Sequence, residues 1–443
     1  MRIQLSDHFN YKKLLAFVMP SVVMMTFTSI YGVVDGLFVS NFVGKEAVAA
    51  INRIYPLILI LGSIGFMLGA GGSALISKTL GEGDKDRANA YFSMLVYVTL
   101  GLGTVIAVAG QFAVPSVARL LGAKGITYDY CVLYGRFLLA GQPFFILQNI
   151  FQSFFVTAEK PRLGLLATVA AGVMNMALDA VFVAGLKWGL TGAAAATVAS
   201  QVLGGVFPII YFVRKNDSLL RLTKTKIYFR ALIRSFANGS SEFLSNVSAS
   251  VVTMLYNFQL DKFAGDAGVA AYGVILYVAM IFYAVFMGYA IGSAPLIGYN
   301  YGAENSAELK NLFKKSLIIM AALGAGMTAL AEALAGPLSK MFVGYDAELF
   351  AMTLRGFRIY ALAFTITGFS IFGSSLFTAL NNGLVSAAVS FLRTLAFQIT
   401  AVMVFPIFWG LDGVWSAICF AELFSLVTTA AFVLAFRKKY GYF

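Results

Sequence analysis

The chain has 443 residues, 60% of them hydrophobic and only 12% charged, with a formal net charge of +12 and a mean hydropathy of +0.83. Water-soluble domains carry about a quarter charged residues, so these values exclude a soluble globular fold and point to an integral membrane protein. The basic excess alone could suit a nucleic-acid binder, but its placement along the chain excludes that partner.

A bilayer core of about 30 Å needs roughly 20 apolar residues per helical crossing. The opening stretch, MRIQLSDHFNYKK, is polar and carries no cleavable signal-peptide pattern. Beyond it, apolar runs recur near residues 15–41, 52–77, 91–114, 129–156, 163–186, 190–213, 232–259, 270–296, 312–334, 350–378, 385–408 and 413–436. The expected fold is all-α, with about twelve transmembrane helices. His8 falls in the opening stretch, outside the bilayer, and is assigned no function. Cys131 and Cys419 lie in or beside apolar runs, and two cysteines support neither a disulfide framework nor a thiolate metal site. No His-rich motif, nucleophile elbow or phosphate loop appears, so neither an enzyme nor a cofactor is expected.

With twelve spans, both termini and the even-numbered loops share one side. That side carries Lys12, Lys13, Lys78, Lys85, Arg87, Lys160, Arg162 and the basic stretches near 214–234, 310–315 and 437–439. The other side carries Lys45, Arg53, Arg119, Lys124, Lys187, Lys262 and Lys340. A bias of about three to one is the positive-inside signature, so both termini are expected to face the cytoplasm across the cell membrane.

An offset of 221 residues brings the two halves into register. Gly44 then matches Gly265, Gly71 matches Gly292, Gly81 matches Gly302 and Gly135 matches Gly356. The stretch Trp188-Gly189-Leu190-Thr191-Gly192 matches Trp409-Gly410-Leu411-Asp412-Gly413, in a chain with only three tryptophans. Six spans per half is an even number, so the halves insert with one orientation, related by an axis along the membrane normal. The expected organisation is an N-terminal lobe over 1–213, a basic cytoplasmic linker over 214–231 and a C-terminal lobe over 232–443. A cleft between two such lobes is the architecture of alternating access, and a monomer suffices for it.

Charges inside a span cost about 2.5–3.5 kcal/mol each on insertion scales and usually mark a pathway. Asp35 lies in the first span, and Asn175 and Asp179 stand one helical turn apart in the fifth. At about 1.5 Å per residue, these three share the outer half of the first lobe with Tyr134 and Thr197. Two carboxylates in one apolar lobe cannot both ionise cheaply, and a bound proton or sodium ion would relieve their repulsion. In the second lobe the same offset replaces Asp35 by Tyr256, Asn175 by Ala396 and Asp179 by Thr400. Its own buried acid is Glu242, near the middle of the seventh span. Arg393 and Glu422 fall at similar depths and are expected to pair with each other, or Arg393 with Glu242. Arg136, Arg355 and Arg358 lie close enough to the outer surface to snorkel. The cleft, with Thr28 and Asn149 assigned to it, would be soft: 41 Phe, 21 Tyr and 16 Met suit bulky, flat, often cationic molecules.

Over essentially its whole length the chain resembles the multidrug and toxic compound extrusion (MATE) transporters, most of all their MepA-like branch. The stretches concerned are VMPSVVMMTFTSIYGVVDGLFVSNFVG, GGSALISKTLGEGD and NMALDAVF followed by WGLTGAAAAT. The resemblance implies antiport, in which an amphipathic drug leaves as sodium or protons enter. It also implies that Asp35, Asn175, Asp179, Tyr134 and Thr197 match a family cation and proton network, and that Glu242 matches an acidic position of the seventh span. Pro20 matches a proline at which the first helix of relatives can bend, and proline lacks the N–H that a straight helix would bond. One departure stands out: residues 359–378 contain no acid to partner Glu242.

Two other transporter classes share parts of this pattern. A flippase for lipid-linked sugars would be expected to line its cleft with several Arg or Lys residues, which are few here. A major facilitator would carry a basic tail in its second loop, where this chain reads Gly81-Glu82-Gly83-Asp84-Lys85-Asp86-Arg87 and then Ala88-Asn89-Ala90.

Overall fold

In lipid each backbone N–H and C=O must be paired within its own segment, and long helices satisfy that requirement. The computed structural model describes residues 3–443, apart from the side chains of residues 37, 40, 41 and 45, and the described residues form helices and no strand. In the first half these are α1 (Tyr11–Phe42), α2 (Lys45–Gly81), α3 (Lys85–Leu120), α4 (Gly125–Ala140), α5 (Gln142–Thr157), α6 (Pro161–Asp179) and α7 (Gly189–Val213). In the second they are α8 (Phe229–Gly302), α9 (Ser306–Val343), α10 (Ala347–Ala361), α11 (Phe364–Ala379), α12 (Gly383–Phe391) and α13 (Phe397–Tyr440). Eight stretches are long and apolar enough to span a membrane, and two bent pairs, α4–α5 at 54° and α10–α11 at 48°, qualify as one span each. Two of the eight are double, α8 broken at Gly265 and α12–α13 at Gly410. Eight, two and two give the twelve crossings expected, in two six-helix lobes.

The duplication extends to the backbone. Gly44 and Gly265 adopt φ of 110° and 59°, and Gly189 and Gly410 adopt 57° and 55°. Each pair, 221 residues apart, makes a reversal that a side chain would strain. Asp84 and Asn305, at the same offset, cap α3 and α9 by accepting from the N–H of Arg87 and of Glu308.

One feature breaks the repeat. A π-helical segment follows α6 at Ala180–Gly185, and its counterpart follows α12 at Leu392–Ala396. The 221 offset would place the second near residue 401. Each π turn takes up an extra residue, so between the two insertion points the lobes run out of register. That explains why Asp179 is fully buried while Thr400 is exposed.

The lobes meet most closely at the end of the bundle that carries both termini. A Cβ on Gly81 would fall on the carbonyl of Tyr299, and one on Gly302 on that of Lys78. A Cβ on Gly71 would meet the Ser235 carbonyl, and one on Gly239 that of Met67. Glycines let backbones approach to this distance, and here they seal one end of the bundle. The segment between α7 and α8 lies along α3, where the Arg221 and Thr223 amides donate to Asn89 Oδ1 and Ser93 Oγ, both at 2.8 Å.

Candidate functional site

Within the first lobe, α1, α2, α4 and α6 converge on Asp35. Its carboxyl group faces Asp179 and Asn175, and Tyr31, Tyr55 and Tyr134 crowd the same point. Asp179 is the last residue of α6 and is fully buried, where the π segment begins. Asn175 and Tyr134 are each 2% exposed. Among the described residues, four oxygens here are buried without a hydrogen-bond partner: Oδ1 of Asp35, Oδ1 of Asn175 and both carboxyl oxygens of Asp179. Among the described residues neither carboxyl group has an Arg or Lys beside it.

Such an arrangement is an acceptor-rich pocket that lacks positive charge. Two like charges about 4 Å apart cost about 4 kcal/mol at an effective dielectric near 20, and a proton or cation between them removes that cost. The chemistry of the donor set fits a hard monovalent cation or a proton, because every available ligand is oxygen. No group of three or more His, Cys, Asp or Glu residues of the kind that holds a transition metal occurs among the described residues.

Thr197 donates its hydroxyl hydrogen to the carbonyl of Ala193 at 3.0 Å, so its oxygen has only lone pairs left to offer. Tyr31, Tyr55 and Gln148, whose side chain hydrogen-bonds Tyr31, were not singled out in the sequence. For Tyr31 a signal existed, since it stands one turn before Asp35 on α1 and so shares its face. Tyr55 and Gln148 arrive from α2 and α5, and no local spacing announces them.

Between the lobes lies a cavity of about 140 Å³, lined among others by Met25, Phe66, Ser153, Glu242, Met287 and Ser375. It sits one to two turns beyond the glycine contacts, on the side away from the termini. Met and Phe walls around a single carboxylate make a soft apolar site with one negative anchor. Thr28 and Asn149 are outside its lining: the Thr28 hydroxyl donates to the Met24 carbonyl, and Asn149, 3% exposed, donates to the Gly62 carbonyl at 3.3 Å. Pro20 lies inside α1, which continues through it. Arg393 pairs with Glu422, its Nε at 3.1 and 3.2 Å from the two carboxyl oxygens. Arg355 and Arg358 pair at the periphery with Asp412 and Glu332.

A model of the MatE family matches residues 20–181 and again residues 243–403, once in each lobe. The chain belongs to the MatE family. Among curated relatives, the "Multidrug export protein MepA" of Staphylococcus saprophyticus is 25% identical over 430 residues, covering 97% of this chain and 94% of that protein. The protein of that name in Staphylococcus haemolyticus is 25% identical over 427 residues, covering 96% and 92%. A solved structure described as the outward-facing conformation of a multidrug resistance MATE family transporter superposes with a TM-score of 0.92 at 24% identity, covering 98% of both chains. That likeness carries the MatE fold, and the twofold match of the family model carries its internal duplication.

Proposed function

We propose that this MatE protein is a transporter that exports amphipathic, often cationic small molecules by alternating access, in exchange for sodium ions or protons. The observation that carries the reading is the pair of buried carboxyl groups, Asp35 and Asp179, with unpartnered oxygens and, among the described residues, no basic neighbour. Asn175, Tyr134 and Thr197 complete the coupling set, and Pro20 lets α1 reshape when the set is neutralised. Glu242, in the soft cavity between the lobes, supplies the second acidic position and meets positive charge there. The names of the staphylococcal relatives support drug export as the cargo class.

In this scheme both termini are cytoplasmic, so the glycine-sealed end is the cytoplasmic one and the cavity opens outward. A cation arriving from outside binds between Asp35 and Asp179 and relieves their repulsion, the drug loses its site and leaves, and the lobes rock to release the cation inside. Each elementary charge that moves down 100 mV supplies about 2.3 kcal/mol. Only a ligand with different affinity for the two states can drive the switch, and the carboxyl pair provides that difference.

The test is uptake of a fluorescent cationic dye into proteoliposomes under an imposed pH or sodium gradient, with wild type beside Asp35→Asn and Asp179→Asn. Gradient-driven uptake that either substitution abolishes is the expected result, and the effective gradient names the ion. If neither gradient moves dye through the wild-type protein, drug antiport is wrong and a lipid-linked cargo becomes the leading reading.

A further inference from the structure

The second lobe contains a chamber of about 220 Å³, lined among others by Tyr256, Tyr272, Tyr283, Arg393, Gln398 and Glu422. The 221 offset relates Tyr256 to Asp35 and Glu422 to Gln201 and sets Arg393, inside the π segment where the register shifts, level with Gly172, so this chamber is the counterpart of the carboxyl site in the first lobe. What differs is the charge. Among the described residues the first-lobe site has two acids and no base, whereas the second-lobe chamber has one acid and a guanidinium bound to both of its oxygens. Glu422 is 1% exposed, and among the described residues it is the only hydrogen-bond partner of Arg393.

The first lobe has no room for the same arrangement. A Cβ on Gly172 would lie 2.5 Å from the ring of Phe27 and 3.0 Å from that of Tyr31. A side chain at that position would have to displace both rings, and among the described residues no Arg or Lys stands beside Asp35 or Asp179. In the second lobe Arg393 is mounted on the π segment Leu392–Ala396, which widens the helix at the matching place. A bridge that served stability alone would be enclosed by packing, and apolar replacement often serves as well. This one instead lines an open chamber.

We propose that Arg393 is a tethered cation which holds, in the second lobe, the place that a mobile coupling ion takes in the first. The second chamber is thereby closed to exchangeable cations, and the transporter couples through one lobe only. This rests on the ion-coupled exchange proposed above, and the experiment is arranged to be independent of it.

The full-length protein carrying Asp35→Asn and Asp179→Asn, which has no acids left in the first site, is melted in detergent with sodium chloride or choline chloride. With Arg393 intact, the two salts should give the same midpoint. Adding Arg393→Ala should produce a rise of about 3–5 °C in sodium, or with guanidinium ion at millimolar concentration, as a mobile cation fills the vacated place. Adding Glu422→Gln should abolish the rise, and Arg393→Lys should behave like the parent. Arg393→Gln, which keeps length and hydrogen bonding, is the variant to read if the alanine protein does not fold. Indifference of the Arg393 variants to both cations overturns the proposal, as does a sodium response in the parent or in Arg393→Lys. Because the first-lobe acids are absent throughout, a failure of their own coupling role would show only in the dye-uptake assay.

Discussion

At Asp35 and Asp179 the chemistry is set by what is missing, since among the described residues no base stands near and three of the four carboxyl oxygens find no partner. The two hydroxyls of the proposed coupling set are of different kinds. Tyr134 can turn its O–H toward either carboxyl group or offer its oxygen to a cation, so Tyr134→Phe should weaken coupling whichever ion is used. A hydrogen bond to a charged group contributes about 1.5–3 kcal/mol, so a loss of about tenfold or more in apparent ion affinity is expected. Thr197 has already given its hydrogen to Ala193 and can act only as a ligand. Thr197→Ala should therefore weaken sodium-driven uptake about tenfold and leave proton-driven uptake nearly unchanged. Equal losses under both gradients would remove Thr197 from the ion's ligand set.

Among the elements, α2 and α8 decide which end of the bundle is shut. Their glycines bring backbone against backbone, so Gly239→Ala drives a methyl group into the Met67 carbonyl. Overpacking of this kind costs about 1–3 kcal/mol, and a fall of a few degrees in melting temperature is expected. Gly36→Ala serves as control, because a Cβ there meets nothing within 4 Å; equal melting of the two variants would remove the seal. Gly71, Gly81 and Gly302 were readable from the 221 offset, as were the helix count and the breaks at Gly265 and Gly410, because periodicity and glycine geometry are local properties; Gly239, which the offset sets against Val18, was not. Asp35, Asn175 and Asp179 were readable as polar residues in apolar runs. The π segments were not readable, since a one-residue bulge leaves no compositional mark. Without them the offset points to Thr400 as the partner of Asp179, a residue turned outward in the structure. The pairing of Arg393 with Glu422 rather than with Glu242 was open for the same reason, because side-chain direction depends on where the helix is wound.

Across the whole molecule, the lobes are tied at the sealed end by the first residues of the chain as well as by the glycines. The amide of Leu5 donates to Glu159 Oε1 at 2.7 Å in the first lobe. The amide of Phe9 donates to Glu308 Oε1 at 2.9 Å in the second, and His8 Nδ1 lies 2.6 Å from the other oxygen of that carboxylate. Leu5 and Phe9 are fully buried, so this strap is packed as well as hydrogen-bonded. Rocking the lobes apart at this end must break it from one side or the other. Bonds to a charged acceptor contribute about 1.5–3 kcal/mol each, and a shift of 1.4 kcal/mol changes a two-state ratio about tenfold. Glu308→Ala should therefore raise the population open at the sealed end about tenfold or more. Ser77, fully buried in that seal, is the reporter. With Cys131 and Cys419 replaced, a cysteine introduced by Ser77→Cys should react with a membrane-impermeant maleimide, applied from the side of the termini, about ten times faster when Glu308→Ala is also present. An unchanged rate would mean that the strap rides on one lobe and takes no part in holding the end shut.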